Sequence, residues 1–212
     1  MARKSTQSRS SQSQPLSAVS SGSPLTAARP ATLEIYDTTL RDGAQAEDVS
    51  FSAEDKVRVA QQLDGLGVQF IEGGWPGANP KDIEFFRMIK TVPLQTATVV
   101  AFGATRKSSN AVQKDPNIRA LLEAETTIIT LFGKTWSLHV TDALGISLVK
   151  NLELISDSVA HLRSKGRRVF YDAEHFFDGY KTNPDYALET IRHAVAAGAE
   201  RVILCDTNGG SM

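Results

Sequence analysis

The sequence predicts an α/β fold, a (β/α)8 TIM barrel truncated after about six strands. Six short apolar runs alternate with helical patterns from residue 32 onward and begin roughly 30 to 40 residues apart, the rhythm of βα units. The runs are apolar without polar alternation, so their strands are expected to be buried on both faces and parallel. Nearly every run ends in polar or charged residues, which a barrel gathers at one mouth. An open doubly wound sheet fits the same alternation. Its nucleotide-binding versions lose support, because no G-x-G-x-x-G follows the first run and no G-x-x-x-x-G-K-[ST] occurs.

The elements follow in order. Residues 1 to 30 hold nine Ser and three Pro, the basic Arg3, Lys4, Arg9 and Arg29, and no Asp, Glu or aromatic residue. Such a segment cannot bury a core, so residues 1–31 read as a disordered tail. The composition also matches an organelle transit peptide, although no clear amphipathic period accompanies it; a plain solvated tail or a misassigned start are the alternatives. The strand runs are Leu33 to Tyr36, Val68 to Ile71, Ala97 to Phe102, Thr127 to Phe132, Arg168 to Tyr171 and Val202 to Leu204. Between the first two, Ser52 stands as N-cap with Asp55 in the capping-box place, ahead of an apolar stripe that Gly67 stops. Ser147 to Lys165 before Gly166, and Pro184 to Ala197 before Gly198, read as helices by the same logic, giving five helices after five strands joined by right-handed crossovers.

Residues 32–212 therefore form one domain of six βα units. A complete barrel takes about 250 residues. The expectation is an incomplete barrel that lacks two strands, leaves the first and sixth strands unpaired at their edges, and stops within the sixth βα loop.

Composition narrows the function. A formal charge of −1 offers no basic excess for nucleic acid, and no stretch approaches the roughly 20 apolar residues of a membrane helix. The single cysteine, Cys205, excludes an internal disulfide and any Cys-x-x-Cys motif, which points to a reducing compartment.

The chemistry sits at the run ends. The first loop reads Tyr36-Asp-Thr-Thr-Leu-Arg-Asp-Gly-Ala-Gln45. Later come Glu72-Gly-Gly-Trp-Pro-Gly77, Phe132-Gly-Lys-Thr-Trp136, Asp172-Ala-Glu-His-Phe-Phe-Asp-Gly-Tyr180 and Cys205-Asp-Thr-Asn-Gly-Gly210. From about residue 33 to 210 the chain resembles the metal-dependent barrel enzymes marked by D-T-T-L-R-D-G. These are the 2-isopropylmalate, homocitrate and citramalate synthases and the 3-hydroxy-3-methylglutaryl-CoA lyases. The later segments look most like the citramalate synthase branch.

The resemblance implies an acyltransferase of isoleucine biosynthesis that condenses acetyl-CoA with pyruvate, or with a larger 2-oxo acid as in 2-isopropylmalate or homocitrate synthesis. It also implies a divalent metal ion (Mg, Mn or Zn), acetyl-CoA as co-substrate, a homodimer and a cytoplasmic enzyme, or a plastid or mitochondrial one if the tail is a transit peptide. By resemblance Asp42 is the metal ligand and Arg41 stabilises the developing oxyanion, a fitting pair because hard oxygen ligands hold the ion and the ion polarises a carbonyl. The plain alternative is a surface Arg–Asp pair. Gln45 is a substrate-side neighbour and Asp37 orients the loop. Asp172 and Glu174 alternate along a strand and so face one side. The resemblance makes Glu174 a catalytic or substrate-binding carboxylate, against a buried carboxylate paired with Lys134 or Arg106. Thr207 matches a position whose hydroxyl binds the 2-oxo acid carboxylate, against an N-cap. Glu72-Gly-Gly74 reads as a structural turn, Lys134 as a partner of either an acidic ligand or Glu174, and Cys205 as packing.

The histidines depart from the pattern. The family completes its metal site with an H-x-H pair on the seventh strand, whereas His139, His161, His175 and His193 contain no H-x-H. His161 and His193 fall in helical patterns, and His175 could support Glu174. A second reading follows: a catalytically incomplete fragment or subunit, whose 212 residues alone release no CoA in a metal-dependent way.

Overall fold

The computed structural model describes residues 33–211, so the expected tail lies outside the described residues. Six strands, β1 (Tyr36–Asp37), β2 (Phe70–Gly74), β3 (Thr98–Ala104), β4 (Ile128–Lys134), β5 (Arg168–Glu174) and β6 (Arg201–Leu204), pair in that spatial order, each parallel to the next. The connecting helices are α1 (Ala53–Gly65), α2 (Pro80–Ile89), α3 (Pro116–Glu123), α4 (Leu148–Ser164), α5 (Phe176–Thr182) and α6 (Pro184–Ala196).

Residues alternate between the two faces of each strand. One face carries Ile71, Ala101, Ile129, Leu131 and Val169 into a large core with Ala60 of α1, Phe85 of α2, Leu121 of α3 and Val159 of α4. Tyr171 and Ala173 continue it against Ile155 of α4 and Ala187 of α6. The other face holds Phe70, Val100, Ile128 and Phe170, with Tyr36 and Ile203 packed against them. Full burial of each such side chain contributes about 1.5 to 3 kcal/mol. The strand residues that follow on this inner face are Glu72, Phe102, Thr130, Phe132, Lys134, Asp172 and Glu174. An apolar floor thus underlies a polar mouth.

Helix starts are written locally. Ser52 Oγ accepts from Asp55 N at 3.1 Å and Asp55 Oδ2 accepts from Ser52 N at 3.1 Å, the expected capping box. Three helices begin with a capping Asn or Asp followed by Pro: Asn79-Pro80, Asp115-Pro116 and Asn183-Pro184. Proline loses nothing there, because the first helical N–H has no partner within the helix.

Three expectations need correction. Among the described residues there are six α-helices rather than five, because the short α5 follows β5 directly. It starts at His175, in the left-handed region with φ 53° and no side-chain cap, so it lacks a local start signal. The strands β2, β4 and β5 run two or three residues past their apolar runs, so Glu72-Gly-Gly74 is strand and not turn. A neighbouring parallel strand keeps pairing with these polar residues, and the charge of Glu72 is met inside. Arg106 does not join the mouth. It is buried against α4, with Nε donating to Asp157 Oδ2 at 3.0 Å and its backbone N donating to Ser158 Oγ at 2.9 Å.

Candidate active site

The loop after β1 is built before it can bind anything. The carbonyl of Thr38 accepts the amides of Arg41, Asp42 and Gly43 at 2.9 to 3.1 Å, while Asp37 accepts both the amide and the hydroxyl of Thr39 at 3.0 Å. Leu40 is fully buried and pins the turn. Arg41 is thereby aimed inward. Its Nε donates to Glu72 Oε1, its Nη1 reaches Asp42 Oδ1 at 2.8 Å, and its guanidinium carbon lies 3.9 Å from the centre of the Phe102 ring.

Glu72 is fully buried. It accepts from Tyr36 Oη at 2.5 Å, and that hydroxyl also meets Thr130 Oγ1 at 2.7 Å. Burial raises the Glu72 carboxyl above its ordinary range, against the pull of Arg41 and Tyr36. Tyr36 is held protonated by burial and by Glu72, so it serves as a donor.

Across the cleft, β5 presents Asp172 and Glu174 on one face. Glu174 Oε2 is paired with Lys134 Nζ at 2.6 Å, across a register that sets Lys134 beside Glu174. Asp172 is buried, and its Oδ1 has no hydrogen-bond partner; Asp206 Oδ1 is likewise buried and unpartnered. Burial first, then Glu72, pushes the Asp172 carboxyl up to about 7, with Arg41 and Cys205 opposing and Glu174 adding. The Cys205 thiol is pushed up to about 12 by burial and by Asp172, Glu174 and Glu72, so it is inert. Thr207 Oγ1 accepts the amide of His175 at 2.9 Å, which locks β6 to the β5 end. The imidazole of His175 lies edge-on to His139 with centroids 4.5 Å apart and approaches Asp178 Oδ2 at 3.3 Å.

Trp75 forms the wall. Its indole meets Phe102 and Phe132 edge-on, with centroids 6.0 and 5.3 Å away, and donates from Nε1 to Asn117 at 2.6 Å. Its amide donates to Asp82 Oδ2 at 2.8 Å, and Asp82 is paired with Lys56. Gly74, at φ 148°, permits this, because a Cβ there would overlap the Asp82 carboxylate.

The expected residues Arg41, Asp42, Gln45, Glu174 and Thr207 all line one cleft of about 460 Å³. Asp172, Cys205 and Asp206 line it too, along with the wall of Trp75, Phe102 and Phe132. Sequence reasoning gave no site role to Glu72 or Asp172. An acid directly after an apolar run, two residues on from an inward-facing Phe, was the available signal for both. Asp42, its side chain 63% exposed, lines the cleft and carries hard oxygen donors. Among the described residues no group of three or more His, Cys, Asp and Glu side chains is placed to hold a metal ion.

Residues 32–212 match the HMGL-like family model. The chain belongs to the HMGL-like family. Among its relatives is the (R)-citramalate synthase of Geobacter sulfurreducens, 56% identical over 180 residues, which span 85% of this chain and 34% of that protein. The probable 2-isopropylmalate synthase of Methanopyrus kandleri is 34% identical over 180 residues, again 85% of this chain and 34% of that protein. The HMG-CoA lyase structure from Bacillus subtilis superposes with a TM-score of 0.66 at 17% identity, covering 86% of this chain and 60% of that one, which establishes the HMGL-like barrel fold. The chain spans about a third of the length of the curated relatives it matches. No helix among the described residues is long and apolar enough to cross a membrane.

Proposed function

We propose that residues 32–212 carry the acceptor-binding part of an (R)-citramalate synthase active site. In that reaction a methyl proton leaves acetyl-CoA and the new carbanion bonds to C2 of pyruvate. The carbonyl electron pair moves to oxygen, which takes up a proton, and hydrolysis of the thioester releases CoA and citramalate. The observation that carries the reading is the Arg41–Glu72 pair beside Asp42 on one wall of a cleft, with Glu174 on the other. An acetyl proton is too weakly acidic to leave unaided, so a base and a positioned cation are both required.

The roles follow from what each group has free. Arg41 spends Nε on Glu72 and Nη1 on Asp42, which leaves Nη2 for an acceptor oxygen. Glu174 serves as base or holds the hydrolytic water, with Lys134 paired to it. Gln45 and the Thr207 hydroxyl meet the acceptor carboxylate. Asp42 is the one ligand contributed here to a divalent ion, Mg, Mn or Zn, which when bound polarises the acceptor carbonyl. Acetyl-CoA is the co-substrate, and we carry over a cytoplasmic homodimer from the family resemblance.

Two other readings stay in play. A larger 2-oxo acid differs by about 1 to 3 kcal/mol per methylene, and the higher identity to citramalate synthases favours pyruvate. The second is a unit that is catalytically incomplete by itself, favoured because among the described residues no group of three or more His, Cys, Asp and Glu side chains is placed to hold a metal ion. The test grafts residues 32–212 in place of the matching segment of the Geobacter sulfurreducens enzyme and measures CoA release with pyruvate, 2-oxoisovalerate and 2-oxoglutarate. Pyruvate should support the highest kcat/KM. A preference for either larger acid overturns the choice of substrate, and release of CoA by the 212-residue chain alone overturns the incomplete-unit reading.

A further inference from the structure

Asp172 occupies a position that the roles above leave without a task. It sits on β5 two residues before Glu174, inward-facing, 8% exposed, and it lines the cleft with Oδ1 unpartnered. The groups around it come from every neighbouring element: Tyr36 of β1, Arg41 of the first loop, Glu72 of β2, Tyr171 and Glu174 of β5, and Cys205 with Asp206 after β6. Arg41 is the only cation among them, and it already neutralises Glu72. Lys134 is taken by Glu174. A buried oxygen with no partner costs about 1 to 3 kcal/mol, so it calls for one that arrives with the ligand.

An anionic acceptor is repelled by this wall if every carboxyl is ionised, since like charges close together in a buried site repel strongly. A neutral carboxyl removes one charge and adds an O–H donor, and a hydrogen bond from it to a carboxylate is charge-assisted. We propose that Asp172 is a substrate-binding residue that stays protonated and donates its carboxyl hydrogen to an oxygen of the anionic 2-oxo acid, so that the site admits the acid together with one proton. This rests on the 2-oxo acid reading of the cleft and adds to it the protonation state in which the acceptor is taken. Burial and the surrounding carboxylates, which push Asp172 up to about 7, agree with it.

The test reads the proton itself. In the 212-residue chain labelled with 13C at the aspartate carboxyls, the signal that disappears in Asp172→Asn should titrate near pH 7. Pyruvate at ten times its Kd for the protonated form should raise that midpoint by about one pH unit, as linkage requires. Asp172→Asn, which keeps a donor at every pH, should bind pyruvate with an affinity that is flat between pH 6 and 8, whereas wild-type affinity falls toward tenfold per pH unit above the midpoint. Asp172→Ala should bind more weakly than Asp172→Asn throughout. A carboxyl already ionised at pH 5.5, or a midpoint that pyruvate leaves in place, would overturn the proposal. The two readings fail separately. A graft that condenses acetyl-CoA with pyruvate while the midpoint stays put keeps the citramalate synthase reading and removes Asp172 from it, and a graft that releases no CoA removes both.

Discussion

Replacing Arg41 with Ala should destabilise the fold far more than loss of a surface ion pair. Glu72 is fully buried and has two strong donors, Arg41 Nε and Tyr36 Oη. Removing the guanidinium leaves a buried carboxylate with Tyr36 alone, a change that typically costs about 3 to 5 kcal/mol. The stacked contact with Phe102 at 3.9 Å adds up to about 2 kcal/mol, and the exposed pair with Asp42 at most about 1. These contributions overlap, so the expected loss is about 4 kcal/mol at pH 7. The pH dependence has a fixed sign. Without Arg41 the Glu72 carboxyl rises further, its proton is bound in the folded state and released in the unfolded one, and the loss shrinks as pH falls. Urea denaturation of the 212-residue chain, wild type and Arg41→Ala, each with and without Glu72→Gln, closes the double-mutant cycle. With Gln at 72 no buried charge is stranded, and Arg41→Ala should then cost at most about 2 kcal/mol. A loss below about 1 kcal/mol, or the same loss in both backgrounds, would refute the reasoning and make Arg41 a surface residue.

Gly133→Ala should cost about 1 to 3 kcal/mol, because the new Cβ would come within 2.6 Å of the Tyr171 hydroxyl and 2.9 Å of its ring; thermal unfolding checks this, and an unchanged Tm contradicts the packing. Native Cys205, with its thiol pushed up to about 12, should react with iodoacetamide at pH 8 about a thousandfold more slowly than the urea-unfolded chain. Equal rates would show an accessible, ionisable thiol. Asp172 binds a proton in the folded state between its ordinary carboxylate range and about 7, so its contribution to stability is present at low pH and is lost as pH rises through 7. Asp172→Asn should therefore gain stability on wild type between pH 5 and 8, by roughly 2 to 4 kcal/mol at the upper end. An equal pH slope in both proteins counts against a raised carboxyl.

What could be read from the sequence was whatever is local or periodic. The capping box at Ser52 and Asp55 spans three residues and was legible in full. The shared face of Asp172 and Glu174 follows from the two-residue period of a strand, and the D-T-T-L-R-D-G resemblance brought Arg41, Asp42, Glu174 and Thr207 together before any geometry was known. Tertiary pairing was not legible. Arg41 and Glu72 lie 31 residues apart, and neither reveals that the other neutralises it, so Glu72-Gly-Gly74 looked like a turn. Arg106 looked like a mouth residue because its partner, Asp157, is 51 residues away on α4. The helix α5 escaped because seven residues with no capping side chain carry too little pattern to announce a start.

Arg41, Asp42 and Glu174 line one cleft, and we propose that they carry citramalate synthase chemistry there. The most direct test is the rate of CoA release from acetyl-CoA and pyruvate by the grafted enzyme, with and without a divalent cation, compared with Asp42→Ala and Glu174→Gln. The account predicts one CoA for each pyruvate consumed, only with the cation present, abolished by Asp42→Ala and reduced about 10² to 10⁴-fold by Glu174→Gln. Cation-independent release, or rates that neither substitution changes, would contradict it.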